Sequence, residues 1–468
     1  MGKLAITGGK PVRRKPLAPW PVYTAEEVRA VQKVLTSGNW GGYPFPNKLA
    51  DAFAQKFARF HGAKFGLAVA NGTVAIEIAL KAAGVQPGDE VIVPAYTWEG
   101  TVGPVMLLNA VPVFVDVDAD TYCLDARLIE KAITPKTRVI LPVHLAMRFA
   151  DLDAICQIAG DHKLAVIEDC AHAHGGKWRK KGAGATGDLG TFSFQSSKLM
   201  TSGEGGAVIS SNLEYYERSQ TYTNCGRASQ TDKFRHRFIG HNYRMTEFQA
   251  AILDSQLKRL PKQNKVRLAN MEHFKKRIES TPGLGFLKRD PRQTAVAPYQ
   301  YVFKYFPEHF GVPRAAFLGA LEMEGIPCDG LFYEPVYRSA LFPVDVREYP
   351  ALSWRREPID LKTTYHCPVA ERAAYEEAVW LPHHIFLGSR KDTDDIAGAV
   401  LKVFENRSEL QGLKHPAIER KSMSRAERPR VEKRMWEQKV DSQQRVARTA
   451  VSAVRGSWPS TPFTGNAK

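Results

Sequence analysis

From Phe65 onward, short apolar runs alternate with stretches of helical periodicity, and this alternation constrains the fold more than any other feature. The apolar runs are Phe65–Ala70, Glu90–Val93, Val113–Val117, Arg138–Val143, Leu164–Glu168, Thr191–Phe194 and Ala207–Ser210. Helical spacing lies between them, first at Thr73–Ala83 and then at Trp98–Asn109. Strands separated by helices predict a mostly parallel sheet with both faces covered. In such a sheet, ligands bind beyond the carboxyl ends of the strands. Ahead of the series, Thr24-Ala-Glu-Glu27 predicts a capping box opening a helix. Ser37–Gly42 reads as a glycine-rich loop and Asn47–Phe60 as a second amphipathic helix.

The second half reads differently. Asp254–Glu279 is helical with a Lys/Arg-rich polar face, and Pro261 inside it predicts a kink or a break. Tyr299–Phe306 resembles a strand; Pro313–Gly325 and Asp392–Glu405 resemble helices. The expected organisation is an N-terminal arm (1–23), a large domain (24–260), a smaller α+β domain (261–406) and a basic tail (407–468). The length of 468 residues, 44% hydrophobic, accommodates two domains. Gln411–Lys468 holds 13 Lys/Arg against 5 Asp/Glu, half of the net +16, and reads as a mostly disordered, solvated tail with room for one helix at Arg425–Val440. Contact of this tail with nucleic acid or a membrane is the less favoured reading. No apolar run approaches the length of a spanning helix, and Met1–Pro21 lacks the apolar core of a secretory signal. Six scattered cysteines without a CxxC pair suit reduced thiols in a cytoplasmic enzyme.

Four segments carry candidate chemistry, each with a plainer alternative. Asn71-Gly72-Thr73 joins a strand to a helix, where free N–H groups and the helix dipole attract an anion. Taken alone, it reads more readily as a simple N-cap. Ala165-Val-Ile-Glu-Asp169 is a strand ending in two carboxylates. Asp169 suits contact with a protonated ring nitrogen, the electron sink of pyridoxal phosphate chemistry; a metal ligand or a helix cap reads equally well. Thr191-Phe-Ser-Phe-Gln-Ser-Ser-Lys198 runs from a strand into a lysine beside Gly203-Glu-Gly-Gly206. A partly buried Lys198 offers a nucleophilic amine, whereas a lone lysine is usually a solvated charge. Ser193 in the same strand can donate to phosphate. Trp98, just past the Glu90–Val93 strand, suits stacking on a flat ring or a place in the core.

Taken in order, these segments resemble the DegT/StrS family of sugar aminotransferases. The matching stretches are Asn71-Gly-Thr73, Gly88-Asp-Glu-Val-Ile-Val-Pro94, Pro142-Val-His144, Glu168-Asp-Cys-Ala-His172, Phe192-Ser-Phe-Gln195 to Lys198, Gly203-Glu-Gly-Gly206 and Gly240-His-Asn-Tyr-Arg-Met245. Cys367-Pro-Val-Ala-Glu371 and Trp380-Leu-Pro382 fit the family's C-terminal region. The resemblance covers Pro19 to Phe404. It implies the pyridoxal 5'-phosphate (PLP)-dependent transferase fold type I, with a seven-stranded-type sheet and a smaller domain. It further implies that Lys198 forms the Schiff base, Asp169 pairs with the pyridine nitrogen, and His172 lies near the phenolic oxygen. Trp98 would stack on the ring, and Gly72, Thr73 and Ser193 would bind phosphate. Asn242 would reach the phosphate of a neighbouring subunit, making the enzyme a homodimer with shared sites; apart from the family, Asn242 and Arg244 read as a polar turn.

The resemblance lies nearest to the branch acting on scyllo-inosose-type cyclitol ketones and to the aminohydroxybenzoate synthases. The implied reaction moves an amino group from glutamate or glutamine to a keto sugar or cyclitol ketone. Where the family often has glycine two or three residues after His144, this chain reads Leu145-Ala-Met-Arg148. Candidate specificity positions are Ser37–Tyr43, His144–Phe149 and Tyr299–Tyr301. The competing readings are a lyase or dehydratase of the same fold, and a PLP-binding regulatory protein. Lys198 argues against the dehydratase relatives, which place histidine there.

Overall fold

The computed structural model describes residues 2–42, 47–227, 236–342, 344–354 and 364–423. Its first nine strands are β1 (Phe65–Val69), β2 (Glu90–Pro94), β3 (Val111–Val115), β4 (Thr137–Ile140), β5 (Ala165–Asp169), β6 (Lys177–Trp178), β7 (Lys181–Gly182), β8 (Leu189–Ser193) and β9 (Gly206–Ser210). Seven of them form one sheet in the order β1-β9-β8-β5-β4-β2-β3. The pairs β3·β2, β2·β4, β4·β5 and β5·β8 are parallel, while β9 is antiparallel to both neighbours. All seven predicted runs fall on these strands. Parallel neighbours need a long crossover, but Phe194–Gly205 contains no helix, so β9 returns antiparallel to β8. Lys198 sits in that return.

The sheet interior is apolar on both faces, with Val91, Ile92, Val93, Val139, Ile140 and Ile167 all inaccessible to solvent. Near-continuous apolar strands are what burial on both faces requires. Helix Ala25–Ser37 opens on the predicted Thr24–Glu27 capping box. Helix Glu247–Ile278 opens on a second one, Thr246 with Gln249.

The break predicted at Pro261 does not occur: Glu247–Ile278 runs unbroken through it, so the boundary drawn at 260 falls inside one helix. An interior proline costs roughly 3 kcal/mol. Burial of Leu253, Leu260, Met271, Phe274 and Ile278 along the helix offsets that cost.

A second sheet pairs Leu284–Phe286 with Tyr301–Tyr305, and the latter with Ala378–Leu381. Its core gathers Phe274, Phe303, Phe317, Ile396 and Val400. Leu4 and Ile6 from the N-terminal segment join that core, and so do Leu410 and Ala417. The stretch from 407 to 422, expected to belong to an irregular tail, is therefore structured and built onto this core. Arg407–Leu410 is a 3-10 turn and Pro416–Ser422 a helix, tied down by Arg420 to Glu322 and by Lys421 to the Cys328 carbonyl. Leu413 and Ile418 pack against the same core. The helix read at Arg425–Val440 lies outside the described residues, as does Tyr43. Met1–Lys421 forms one compact unit. Among the described residues, no helix is long and apolar enough to cross a membrane.

Candidate active site

Strand β5 ends in adjacent carboxylates, and the pleat directs consecutive side chains to opposite faces. Asp169 is buried. Its Oδ2 accepts a hydrogen bond from Thr101 Oγ1 at 2.9 Å and its Oδ1 accepts the Ala171 N–H at 3.0 Å. Because Thr101 gives its proton to Asp169, Thr97 must donate to Thr101 across their 3.0 Å contact. An ionised carboxylate accepts about four hydrogen bonds, so Asp169 retains acceptor capacity.

Glu168 retains none of practical use. It accepts from His144 Nε2 (2.9 Å), Gly184 N–H (2.8 Å), Thr186 N–H (2.8 Å) and Gly187 N–H (2.7 Å). Burial pushes its pKa up, but the His144 contact and these backbone donors outweigh burial and hold it below the usual carboxylate range. His144, Glu168 and Cys170 bring potential metal-ligand atoms within 4.8 Å of one another. Burial keeps the Cys170 thiol protonated and the Glu168 oxygens are occupied, so the cluster reads as structural. The metal-ligand alternative for Asp169 finds no support in it.

A tight strand-to-helix junction forms near Asp169's strand. Asn71 Oδ1 caps helix Gly72–Ala82 by accepting the Val74 N–H at 3.0 Å. The first-turn N–H groups of Gly72 and Thr73 are among those a helix cannot satisfy internally. A Cβ on Gly72 would lie 2.6 Å from Ser193 Cβ. Only glycine permits that approach, which brings the helix N-terminus to the end of β8. A Cβ on Gly206 would lie 2.3 Å from the Asn71 carbonyl oxygen, so Gly206 serves the same closeness. Gly100 marks the other wall: a Cβ there would meet Trp98 at 2.6 Å and Thr73 Oγ1 at 3.2 Å. The Trp98 ring is 48% exposed, so it is no core tryptophan. Tyr333 stands 6.2 Å from it, centroid to centroid.

Lys198 Nζ stands 4.9 Å over the Tyr299 ring. That ring lies 4.1 Å from the His172 ring. His172 Nδ1 accepts the Ala146 N–H at 3.2 Å, and Nε2 lies 3.0 Å from the Tyr333 hydroxyl. Burial first, and then the charge of Lys198, hold the His172 pKa far below its ordinary value. The ring is thus neutral, and with Nδ1 accepting, Nε2–H donates to Tyr333. Ala146, one of the two positions after His144 where the family often has glycine, has φ +53°, a left-handed conformation that favours glycine.

The fold thus gathers Lys198, His172, Asp169, Gly72, Thr73, Ser193 and Trp98. Asn242 is different: it is exposed, and its backbone bridges Asn224 two residues before Arg244 bridges Val69. Sequence reasoning missed Thr101, Tyr333, His383 and Trp20. Thr101 was findable, since it lies in the first turn of the helix that follows Trp98. The others carry no local signal.

Comparison with known proteins completes the assignment. Residues 21–401 match the model of the DegT/DnrJ/EryC1/StrS aminotransferase family. A Streptoalloteichus tenebrarius protein provisionally named L-glutamine:3-amino-2,3-dideoxy-scyllo-inosose aminotransferase is 43% identical over 413 residues, covering 87% of this chain and 99% of that one. L-glutamine:2-deoxy-scyllo-inosose aminotransferase of the same organism is 36% identical over 426 residues, covering 87% and 99%. The crystal structure of 3-amino-5-hydroxybenzoic acid synthase superposes with a TM-score of 0.74 at 33% identity, covering 85% of this chain and 100% of that one. This chain belongs to the DegT/DnrJ/EryC1/StrS aminotransferase family.

Proposed function

We propose that this aminotransferase uses pyridoxal 5'-phosphate to move an amino group from glutamine to the ring ketone of a cyclitol. The observation that carries this reading is the convergence of an amine, a carboxylate and an anion cradle at the ends of β5, β8 and β1: Lys198, Asp169 and Gly72 with Ser193. The names of the relatives at 43% and 36% identity support the donor and the acceptor class. Glutamate and keto sugars are the wider alternatives.

The residues fit the cofactor. Gly72 leaves room for a phosphate against β8, Asp169 keeps an acceptor site for a ring N–H, and the exposed Trp98 offers a ring face. When bound, pyridoxal phosphate supplies an electron-accepting ring that stabilises charge at a donor's α-carbon. Lys198 would hold the cofactor through its side-chain amine, and that amine would carry the proton from the donor's α-carbon. A positioned proton carrier contributes about 10²–10⁴-fold. Asp169 would accept from the ring N–H and keep that nitrogen protonated, a charge-assisted bond worth about 1.5–3 kcal/mol. Thr101 and the Ala171 N–H hold the carboxylate in place. The Gly72 and Thr73 N–H groups and the Ser193 hydroxyl would hold the cofactor's phosphate. Trp98 would pack on the ring, and neutral His172 would stand near its phenolic oxygen. Exposed Asn242, near Ile239 at 90% exposure, is suited to reach a second copy's site in a homodimer.

The test begins with colour. Purified protein is expected to be yellow, with a visible band that borohydride abolishes by attaching the cofactor to Lys198. Lys198→Ala is expected to lose that attachment and transamination together. Glutamine is expected to bleach the wild-type protein, and a panel of inososes and keto sugars to restore the colour. A Lys198→Ala protein that still transaminates overturns the reading.

A further inference from the structure

The segment just before Lys198 is held from three directions. Trp20 Nε1–H donates to the Ser196 carbonyl at 2.9 Å. The Tyr299 hydroxyl lies 3.2 Å from Ser197 Oγ. His383 Nε2 lies 2.9 Å from the Ser197 carbonyl oxygen. A carbonyl only accepts, so Nε2 carries the proton. On the far side of Lys198, Leu199 and Met200 are wholly buried.

The His383 contact differs in kind from the other two, because it acts on the peptide group shared by Ser197 and Lys198. That group is planar. Its carbonyl accepts from His383, and its N–H, which belongs to Lys198, donates to the Gln195 carbonyl at 2.9 Å. With both ends of one plane fixed, the direction in which the Lys198 side chain leaves the loop is restricted. His383 is itself well fixed. It is buried, its backbone N–H donates to the Gln300 side chain at 3.1 Å, and its ring meets Trp20 edge-on at 4.9 Å. Its Nδ1 is buried without a hydrogen-bond partner among the described residues. A second proton on the ring is opposed by burial and then by Arg267, whose guanidinium lies 5.0 Å over the Trp20 ring. The side chain is thus kept in the interior with a bare nitrogen, and Nε2–H donation to Ser197 is the polar contact it makes.

We propose that His383 is a positioning residue for Lys198: by fixing the Ser197 carbonyl, it sets the direction of the Lys198 amine. This rests on the reading of Lys198 as the covalent lysine. Trp20 and Tyr299 steady the same loop, so segments far apart in the chain converge on the orientation of one amine.

The test compares His383→Phe, which keeps a ring and removes the donor, with His383→Gln, which returns an N–H near the Nε2 position. Each holoprotein is measured for Lys198 attachment after borohydride, visible circular dichroism per bound cofactor, and bleaching by glutamine. In His383→Phe, attachment is expected to persist, visible ellipticity to fall, and the saturated bleaching rate to drop about tenfold, with little change in the half-saturating glutamine concentration. His383→Gln is expected to recover most of both signals. Wild-type ellipticity and rate in His383→Phe overturn the proposal. If His383→Phe does not fold, His383→Gln decides: near-wild-type values uphold the proposal, and a tenfold loss at full attachment overturns it. A wild-type protein with no visible band or no Lys198 adduct refutes the functional reading instead, and is told apart by that.

Discussion

Glu168 and Asp169 are neighbours at the end of one strand, both buried and both acidic, yet the two faces of the sheet use them in opposite ways. On one face Glu168 gathers His144 and the Gly184–Gly187 turn, with hydrogen bonds to both oxygens. On the other face Asp169 receives two donors, one on each oxygen, and keeps room for another. A carboxylate with its lone pairs occupied builds structure; one with acceptor capacity left over is available for chemistry. Histidines divide in the same way. His144 joins Glu168, while His172 stands beside Lys198.

Acid gives the largest expected effect and tests whether these interiors are as dry as described. His61, His172, His174 and His383 are all buried with pKa values held down by burial, His61 to about 4 from an ordinary 6.5. A depressed folded-state value means that the unfolded chain takes up protons first as pH falls. Stability is then full above about pH 6.5 and is lost below it, by about 1.4 kcal/mol per pH unit for each such ring. Urea titrations at pH 7.5 and 5.5 are expected to differ by roughly 5 kcal/mol if all four rings behave so. Glu168, also held low, adds its own loss only below the ordinary carboxylate range. Equal stability at the two pH values would break the comparison.

Exchanging the two acids sharpens it. Glu168→Gln is expected to lose about 3–5 kcal/mol of unfolding free energy, because it breaks a buried pair. Asp169→Asn is expected to keep stability within about 1 kcal/mol while turnover falls about 100-fold, equivalent to roughly 2.7 kcal/mol in the barrier. Denaturant curves and turnover rates on both variants check this, and near-normal turnover in Asp169→Asn refutes its assigned role. The smallest effect concerns Ala146, whose φ of +53° favours glycine. Ala146→Gly is expected to change stability by under about 1 kcal/mol, in the stabilising direction, since relief of the left-handed strain opposes the greater freedom of the unfolded chain. A thermal melt measures it.

Much of the site was legible because its residues are ordered along the chain. Asn71-Gly72-Thr73, Asp169 and Lys198 each follow a strand, and strand ends are where parallel sheets bind ligands. The break expected at Pro261 failed for the opposite reason: a local rule met a helix buried along its length. The tail was read as irregular from 407 because its charge hid Leu410 and Ala417, which reach a core formed elsewhere. Tyr333 and His383 could not be seen at all. They reach His172 and Ser197 across 161 and 186 residues of chain.

The sequence by itself determined the strand series, the helix caps and the presence of an amine and an acid at strand ends, because periodicity and capping depend on residues a few positions apart. Only the tertiary structure supplied the donors that fill the oxygens of Glu168 and the distant side chains that contact the segment before Lys198. Those outcomes depend on which strands lie side by side, and sheet order is set by burial over the whole chain rather than by any local pattern.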